Sequence, residues 1–108
     1  MNNKYELTDK IKNINGITLR RIRALRDIPR LGVKAGDLGG WIEKEENLSH
    51  CGNAWVCGNA KVYGNAKVYD NAWVYGNAKV YGNAKVYGNA WVYGNAWVFG
   101  NAEVFGNA

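Results

Sequence analysis

The sequence predicts an all-β protein, a parallel β-helix wound from hexapeptide repeats at three repeats per coil and preceded by a small N-terminal β-hairpin. Three observations predict it. Nine consecutive units from Gly52 fit one six-residue pattern, running from Gly-Asn-Ala-Trp-Val-Cys to Gly-Asn-Ala-Glu-Val-Phe. Within every unit Ala and Val stand two apart, so on an extended segment they share one face while the variable residue and the last residue share the other. The variable position returns Trp at 55, 73 and 91, a spacing of eighteen that stacks like on like if three units close a coil.

From the N-terminus, residues 5–8 and 18–25 read as strands, with Asn15-Gly16 between them as the turn signal of a small hairpin. Pro29 and Gly32 break the chain, and Gly36-Asp37 with Gly39-Gly40 marks a further turn before Trp41-Ile42. Residues 1–40 therefore read as hairpin and cap, and residues 41–108 as the β-helix, with regular repeats over 52–108. Aligning Glu46 to Cys51 over Gly52 to Cys57 places Asn47 at a corner, Leu48 at the Ala position and His50 at the inward Val position, with a loop at Lys44-Glu45 loosening the first coil. Larger inward residues there are expected to plug the open end, as the terminal repeats of solenoids must.

In the regular repeats Gly-Asn supplies the corner, because both residues tolerate a positive φ at the least steric cost. Ala and Val are expected to stack into a narrow dry core, and the Asn column to form an amide ladder. Three outward surfaces follow. One shows Trp55, Trp73 and Trp91 beside Cys57, Tyr75 and Tyr93; the second shows Lys61, Lys79 and Trp97 beside Tyr63, Tyr81 and Phe99; the third shows Lys67, Lys85 and Glu103 beside Tyr69, Tyr87 and Phe105.

On these repeats the chain resembles the hexapeptide-repeat superfamily, which implies a left-handed β-helix with the small and aliphatic residues in the core. Segments of the form YELT, TLxRIRAL and GDLGGWIExEENLS, followed by GNAWV, resemble small uncharacterised proteins of bacteriophages and prophages. That second resemblance implies a mobile-element source and supplies no activity. Arg20 stands where that family is expected to carry an aromatic.

Several chemistries lack their residues. Acetyltransferases similar to this chain in the repeat need an exposed general base, usually His, and the one histidine, His50, is expected to point inward as a structural residue. A three-histidine zinc site is out of reach, and Cys51 and Cys57, one repeat apart, lack the spacing of a metal knuckle and read as reduced thiols. No metal and no cofactor is expected. The start, MNNKYELTDK, has no apolar signal core and no run approaches the ~20 apolar residues of a membrane span, so a cytoplasmic protein without membrane contact is expected.

Binding is the function that composition favours. Net charge is +5, and Arg20, Arg21, Arg23, Arg26 and Arg30 lie close in sequence, with the Lys61/Lys79 and Lys67/Lys85 columns downstream. Basic groups beside stacked aromatics suit phosphates and bases. Against this, Asp9, Asp27, Asp37 and the acidic residues at 43, 45 and 46 offer the arginines internal partners. The aromatic face expected to bind comprises Trp55, Trp73, Trp91, Tyr75, Tyr93 and Trp97. The expected function is non-catalytic: a phage-type protein that self-associates and engages a macromolecule, a protein of host defence being the natural target. The alternatives are a binder of a small anionic nucleotide, nucleic acid binding, and an acyltransferase-like enzyme. The exposed Trp column and the mid-repeat stop at Gly106-Asn107-Ala108 point to a homo-oligomer, a dimer or trimer, with Trp73 at a side-by-side contact and Phe105 at an end-to-end one.

Overall fold

The computed structural model of the chain describes residues 3–106. It is an all-β solenoid of stacked coils with an N-terminal hairpin. In chain order the strands are β1 (Tyr5–Ile14), β2 (Ile17–Ala24), β3 (Leu38–Ile42), β4 (Trp55–Val56), β5 (Lys61–Val62), β6 (Lys67–Val68), β7 (Trp73–Val74), β8 (Lys79–Val80), β9 (Lys85–Val86), β10 (Trp91–Val92), β11 (Trp97–Val98) and β12 (Glu103–Val104). Short 3-10 turns at Pro29–Leu31 and Glu45–Asn47 flank β3.

The eighteen-residue coil holds. Trp55 faces Trp73, Trp73 faces Trp91, Lys61 faces Lys79 and Lys67 faces Lys85 in parallel register. Two-residue strands cannot stand alone, so stability comes from stacking each on its neighbour one coil away. Val and Ala of the upper coils are fully buried in a continuous core. Every regular corner carries a positive φ, and at Gly76 an added Cβ would also meet the Gly94 nitrogen at 2.9 Å, so coil stacking itself demands glycine there. Asp70 takes the same left-handed geometry at φ 61 and accepts a hydrogen bond from Gly88 N at 3.2 Å on Oδ2. The Asn ladder forms as expected, with Asn59, Asn65, Asn71 and Asn83 each donating to the Asn one coil below at 3.3–3.4 Å.

The hairpin turns at Asn15-Gly16, whose φ values of 50 and 84 are those a tight turn needs, and β1 runs further than residues 5–8. β2 pairs antiparallel with β3, and β3 pairs parallel with β5, so the hairpin extends one side of the solenoid into a six-stranded sheet, β1-β2-β3-β5-β8-β11. The other two sides are three-stranded, β10-β7-β4 and β12-β9-β6.

The first coil departs from expectation. Trp41 faces Lys61 and Leu48 faces Val68, an offset of 20, whereas Trp55 faces Trp73, an offset of 18. Ser49 N still bonds Val68 O and Asn53 N bonds Asp70 O, so residues 50–52 fill the corner that Asp70 alone fills one coil below. The two extra residues therefore lie at this corner and not at Lys44-Glu45. Leu48 consequently takes a Val position, where its larger side chain is fully buried, and His50 sits in the corner bulge instead of pointing inward. The hydrogen-bond direction along the coils leaves the upper carbonyls of the first regular coil without a backbone partner from another repeat. The cap supplies donors: Trp41 N to Ala60 O at 2.9 Å, Asn47 Nδ2 to Ala66 O at 2.9 Å, Arg26 to Gly52 O at 2.8 Å, and the buried Lys4 Nζ to Ala54 O. Tyr5, Ile22, Ile28, Ile42 and Leu48 fill the space beneath.

Among the described residues no helix is long and apolar enough to cross a membrane. Of the mid-repeat stop, residues 107 and 108 lie outside the described residues.

Candidate functional site

The six-stranded sheet assembles a surface that the repeat alone does not contain. Arg21 faces Trp41, Trp41 faces Lys61, Lys61 faces Lys79 and Lys79 faces Trp97, one residue per strand on the outer side. Lys12, from β1, reaches over the Trp41 ring at 4.8 Å from its centroid, and the Arg21 guanidinium lies at 5.6 Å from the same ring. At the far end Lys79 Nζ lies 5.2 Å from the Trp97 ring centroid. Each indole thus has at least one cation over its ring, and among the described residues none of these cations is ion-paired with a carboxylate.

The electrostatics of this row are those of like charges brought together. Burial first, then the neighbouring Lys12 and Lys79 cations, lower the pKa of Lys61. Lys61 Nζ donates to Asn59 O at 2.9 Å and keeps donors to spare. Arg21 Nε donates to Gly39 O at 2.9 Å, which fixes the plane of the guanidinium over Trp41. Trp41 is nearly buried beneath these cations, and among the described residues its Nε1 has no partner. Beside the row, Tyr63, Tyr81 and Phe99 stack at centroid spacings of 5.1 and 5.5 Å with near-parallel planes. Tyr81 is covered on both faces, while Tyr63 and Phe99 each stack on one, and Phe99 is exposed at the end of the column.

The five arginines do not form one patch. A register shift in β2 between Arg21 and Arg23 sends them different ways. Arg23 pairs with Glu6, Arg26 caps the coil at Gly52 O, and Arg20 donates to Thr8 O at 3.4 Å. Asp27 and Asp37 accept from the backbone N–H groups of Ala35 and Lys34, so they shape their loop instead of pairing the arginines. Of the cluster only Arg21 joins the row. The repeat period does not point to Lys12 and Trp41, because it says nothing of which side the hairpin extends.

The Trp column also needs correcting. Trp55 is 1% exposed and cannot contact a partner, because Tyr5 packs edge-on against its ring at 6.4 Å and the Gly39 backbone lies across it. Trp73 is half-buried, its Nε1 donating to Cys57 Sγ at 3.2 Å and its ring wedged between Tyr75 and Trp91. Trp91, Tyr93, Trp97 and Phe105 are exposed, with Tyr75 stacked on Tyr93 at 5.2 Å and Phe105 on Tyr87 at 5.3 Å. Lys67 and Lys85 are exposed on the third side, where a cavity of about 940 Å³ opens below the cap between them, Tyr69, His50, Glu45 and Glu46.

A family model described as the YdcK beta solenoid repeat matches residues 60–76, 78–94 and 84–100. These coils are similar to that repeat. The likeness covers the regular coils that carry Lys61, Lys79 and Trp97 and concerns their winding; it lies outside β1 to β3. No curated protein matches the chain.

His50 completes the inventory. Its Nδ1 accepts the Lys4 backbone N–H at 3.2 Å, which leaves the proton on Nε2, and Nε2 lies 2.9 Å from Glu45 Oε1. The ring stacks on Tyr5 at 4.1 Å. Among the described residues no group of three or more His, Cys, Asp and Glu is placed to hold a metal ion.

Proposed function

We propose that this chain is a non-catalytic binding protein whose six-stranded sheet engages an anionic macromolecule. One observation carries the reading: the hairpin brings Lys12, Arg21 and Trp41 into line with Lys61, Lys79 and Trp97, Lys61 faces Lys79, and among the described residues none of the four cations is ion-paired with a carboxylate. A row of like charge costs folding free energy through self-repulsion, and an anionic partner relieves it. The non-catalytic reading is supported by His50, both of whose ring nitrogens serve the cap. The resemblance to phage and prophage proteins makes the components of a bacterial host, its defence factors included, the pool to search.

Capture from a bacterial host lysate tests this, with the parent compared to a Lys61→Glu/Lys79→Glu variant. The parent is expected to retain partners that the variant loses. Equal capture by both overturns the reading.

A small anionic nucleotide in the third-side cavity is the weaker reading, because Glu43, Glu45 and Glu46 line it alongside Lys44, Lys67 and Lys85. Self-association remains part of the proposal, now through Trp91 and Tyr93 in place of the covered upper Trp positions.

A further inference from the structure

We infer that the macromolecule taken by the six-stranded face is duplex nucleic acid, held by its phosphate backbone without reading its sequence. This rests on the anion-binding reading of the same face and names its partner.

Three features of the face select this partner. First, the row crosses β2, β3, β5, β8 and β11, and at about 4.8 Å per strand it is roughly 19 Å long. Counting both strands, a duplex carries a phosphate about every 1.7 Å of axis, so about eleven fall within the length of the row and those turned toward the sheet are its partners. Lys12, Arg21, Lys61 and Lys79 can each take one. Second, most of the rings that would hold unpaired bases are already engaged. Trp41 lies under Lys12 and Arg21, Tyr81 is stacked on both faces, and Tyr63 on one; only Trp97, which carries Lys79 over one face, and Phe99, at the far end, keep an exposed face. A single strand gains its affinity from stacking on free aromatic faces, whereas a duplex keeps its bases inside and asks only for cations. Third, the face lacks the makings of a protein contact. Protein interfaces are depleted in Lys and are anchored by aromatics at their centre, yet here the middle of the row is Lys61 and Lys79, Trp41 is nearly buried, and the exposed aromatics Trp97 and Phe99 lie only at its end.

The paired cations also explain why Trp41, and not Lys, stands at the second position of the row. A fifth cation there would lie between Arg21 and Lys61, while an indole separates them and holds both Lys12 and Arg21 over its ring.

The test is a titration of the parent with a short mixed-sequence DNA duplex across a salt series. The slope of log affinity against log salt is expected at about −3 to −4, the value for four phosphates neutralised, so affinity should fall about a hundredfold from 50 to 200 mM salt. Lys61→Gln and Lys79→Gln should each reduce that slope by about one, while Lys67→Gln, on another side of the solenoid, should leave it unchanged. A second duplex of different sequence should bind equally well. Circular dichroism and melting of each variant establish that the fold is kept. The inference is overturned if duplex does not bind at low salt, if single-stranded DNA binds more than tenfold tighter, or if Lys67→Gln reduces the slope as much as Lys61→Gln. Failure on duplex together with retention of an acidic protein from lysate, lost by the Lys61→Glu/Lys79→Glu variant, overturns this inference alone; failure of both overturns the anion-binding reading as well.

Discussion

His50 and Lys4 show how much of the cap depends on single side chains. Replacing His50 with the consensus Val would be stabilising if the residue pointed into the core. It instead stacks on Tyr5, accepts from the Lys4 backbone and meets Glu45, so His50→Val should lower stability by roughly 1–3 kcal/mol, read from the denaturant midpoint. A midpoint equal to or above the parent's would contradict this placement. Lys4 makes a pH prediction. Burial, with the Arg26 cation adding to it, pushes its amine down to about 7 from 10.5. Between those two values the unfolded chain binds more protons than the folded one, so unfolding free energy should rise with pH from about 7 toward 10, by at most about 1.4 kcal/mol per pH unit. Tyr5, whose pKa burial and then Glu45 and Glu46 raise, turns the curve down again above its ordinary value of 10. Below pH 7 Lys4 is charged in both states and its slope vanishes. Calorimetry of the parent and Lys4→Met over this range checks the claim: the variant should lose the rise, and a parent that is flat from pH 7 to 10 would refute it.

At the scale of elements, β3 is the joint on which the site depends. It pairs with β2 on one edge and β5 on the other, and its two glycines let the chain lie directly on the first coil. A Cβ at Gly39 would meet Ile22 Cγ1 and Val56 O at 2.6 Å and Trp55 Cζ2 at 2.8 Å. Gly39→Ala should therefore cost about 3 kcal/mol and expose Trp55, visible as a red shift in indole fluorescence. Gly94→Ala meets nothing within 4 Å and costs only its left-handed φ of 64, roughly 1 kcal/mol. Equal costs would refute the packing of β3 on the coil. The contrast also marks what was legible in advance. The corners of the regular coils announce themselves through Gly-Asn every six residues, and the hairpin through Asn15-Gly16. The bulge at 50–52 does not, because residues 46–51 slide over a repeat with Asn, Leu and His in plausible slots, and only the pairing of Trp41 with Lys61 and of Leu48 with Val68 reveals the two-residue excess.

For the whole molecule, stacking at eighteen residues predicts that deletion of residues 58–75 removes one coil and leaves every later column on its side, whereas deletion of 58–63 moves each column round by one side. The first deletion should keep Trp41 over Lys79 and hold a cooperative melt; the second should put Glu103 at the far end of the row in place of Trp97. Matching melts and matching anion binding would contradict side-specific surfaces. The three surfaces themselves were legible from the variable position of each repeat. What could not be read was the extension of one surface by the hairpin, since Lys12 and Arg21 belong to no repeat and reach the row only because β2 docks antiparallel on β3. The burial of Trp55 has the same origin. The most direct measurement is polyanion affinity of two variants with identical charge change, Lys61→Glu/Lys79→Glu on the extended side and Lys67→Glu/Lys85→Glu on the third, each taking the net charge from +5 to +1. If the row is the binding face, the first variant elutes from an immobilised polyanion at far lower salt than the second, which stays near the parent; equal losses in the two would mean that net charge alone drives retention and that the face has no special role.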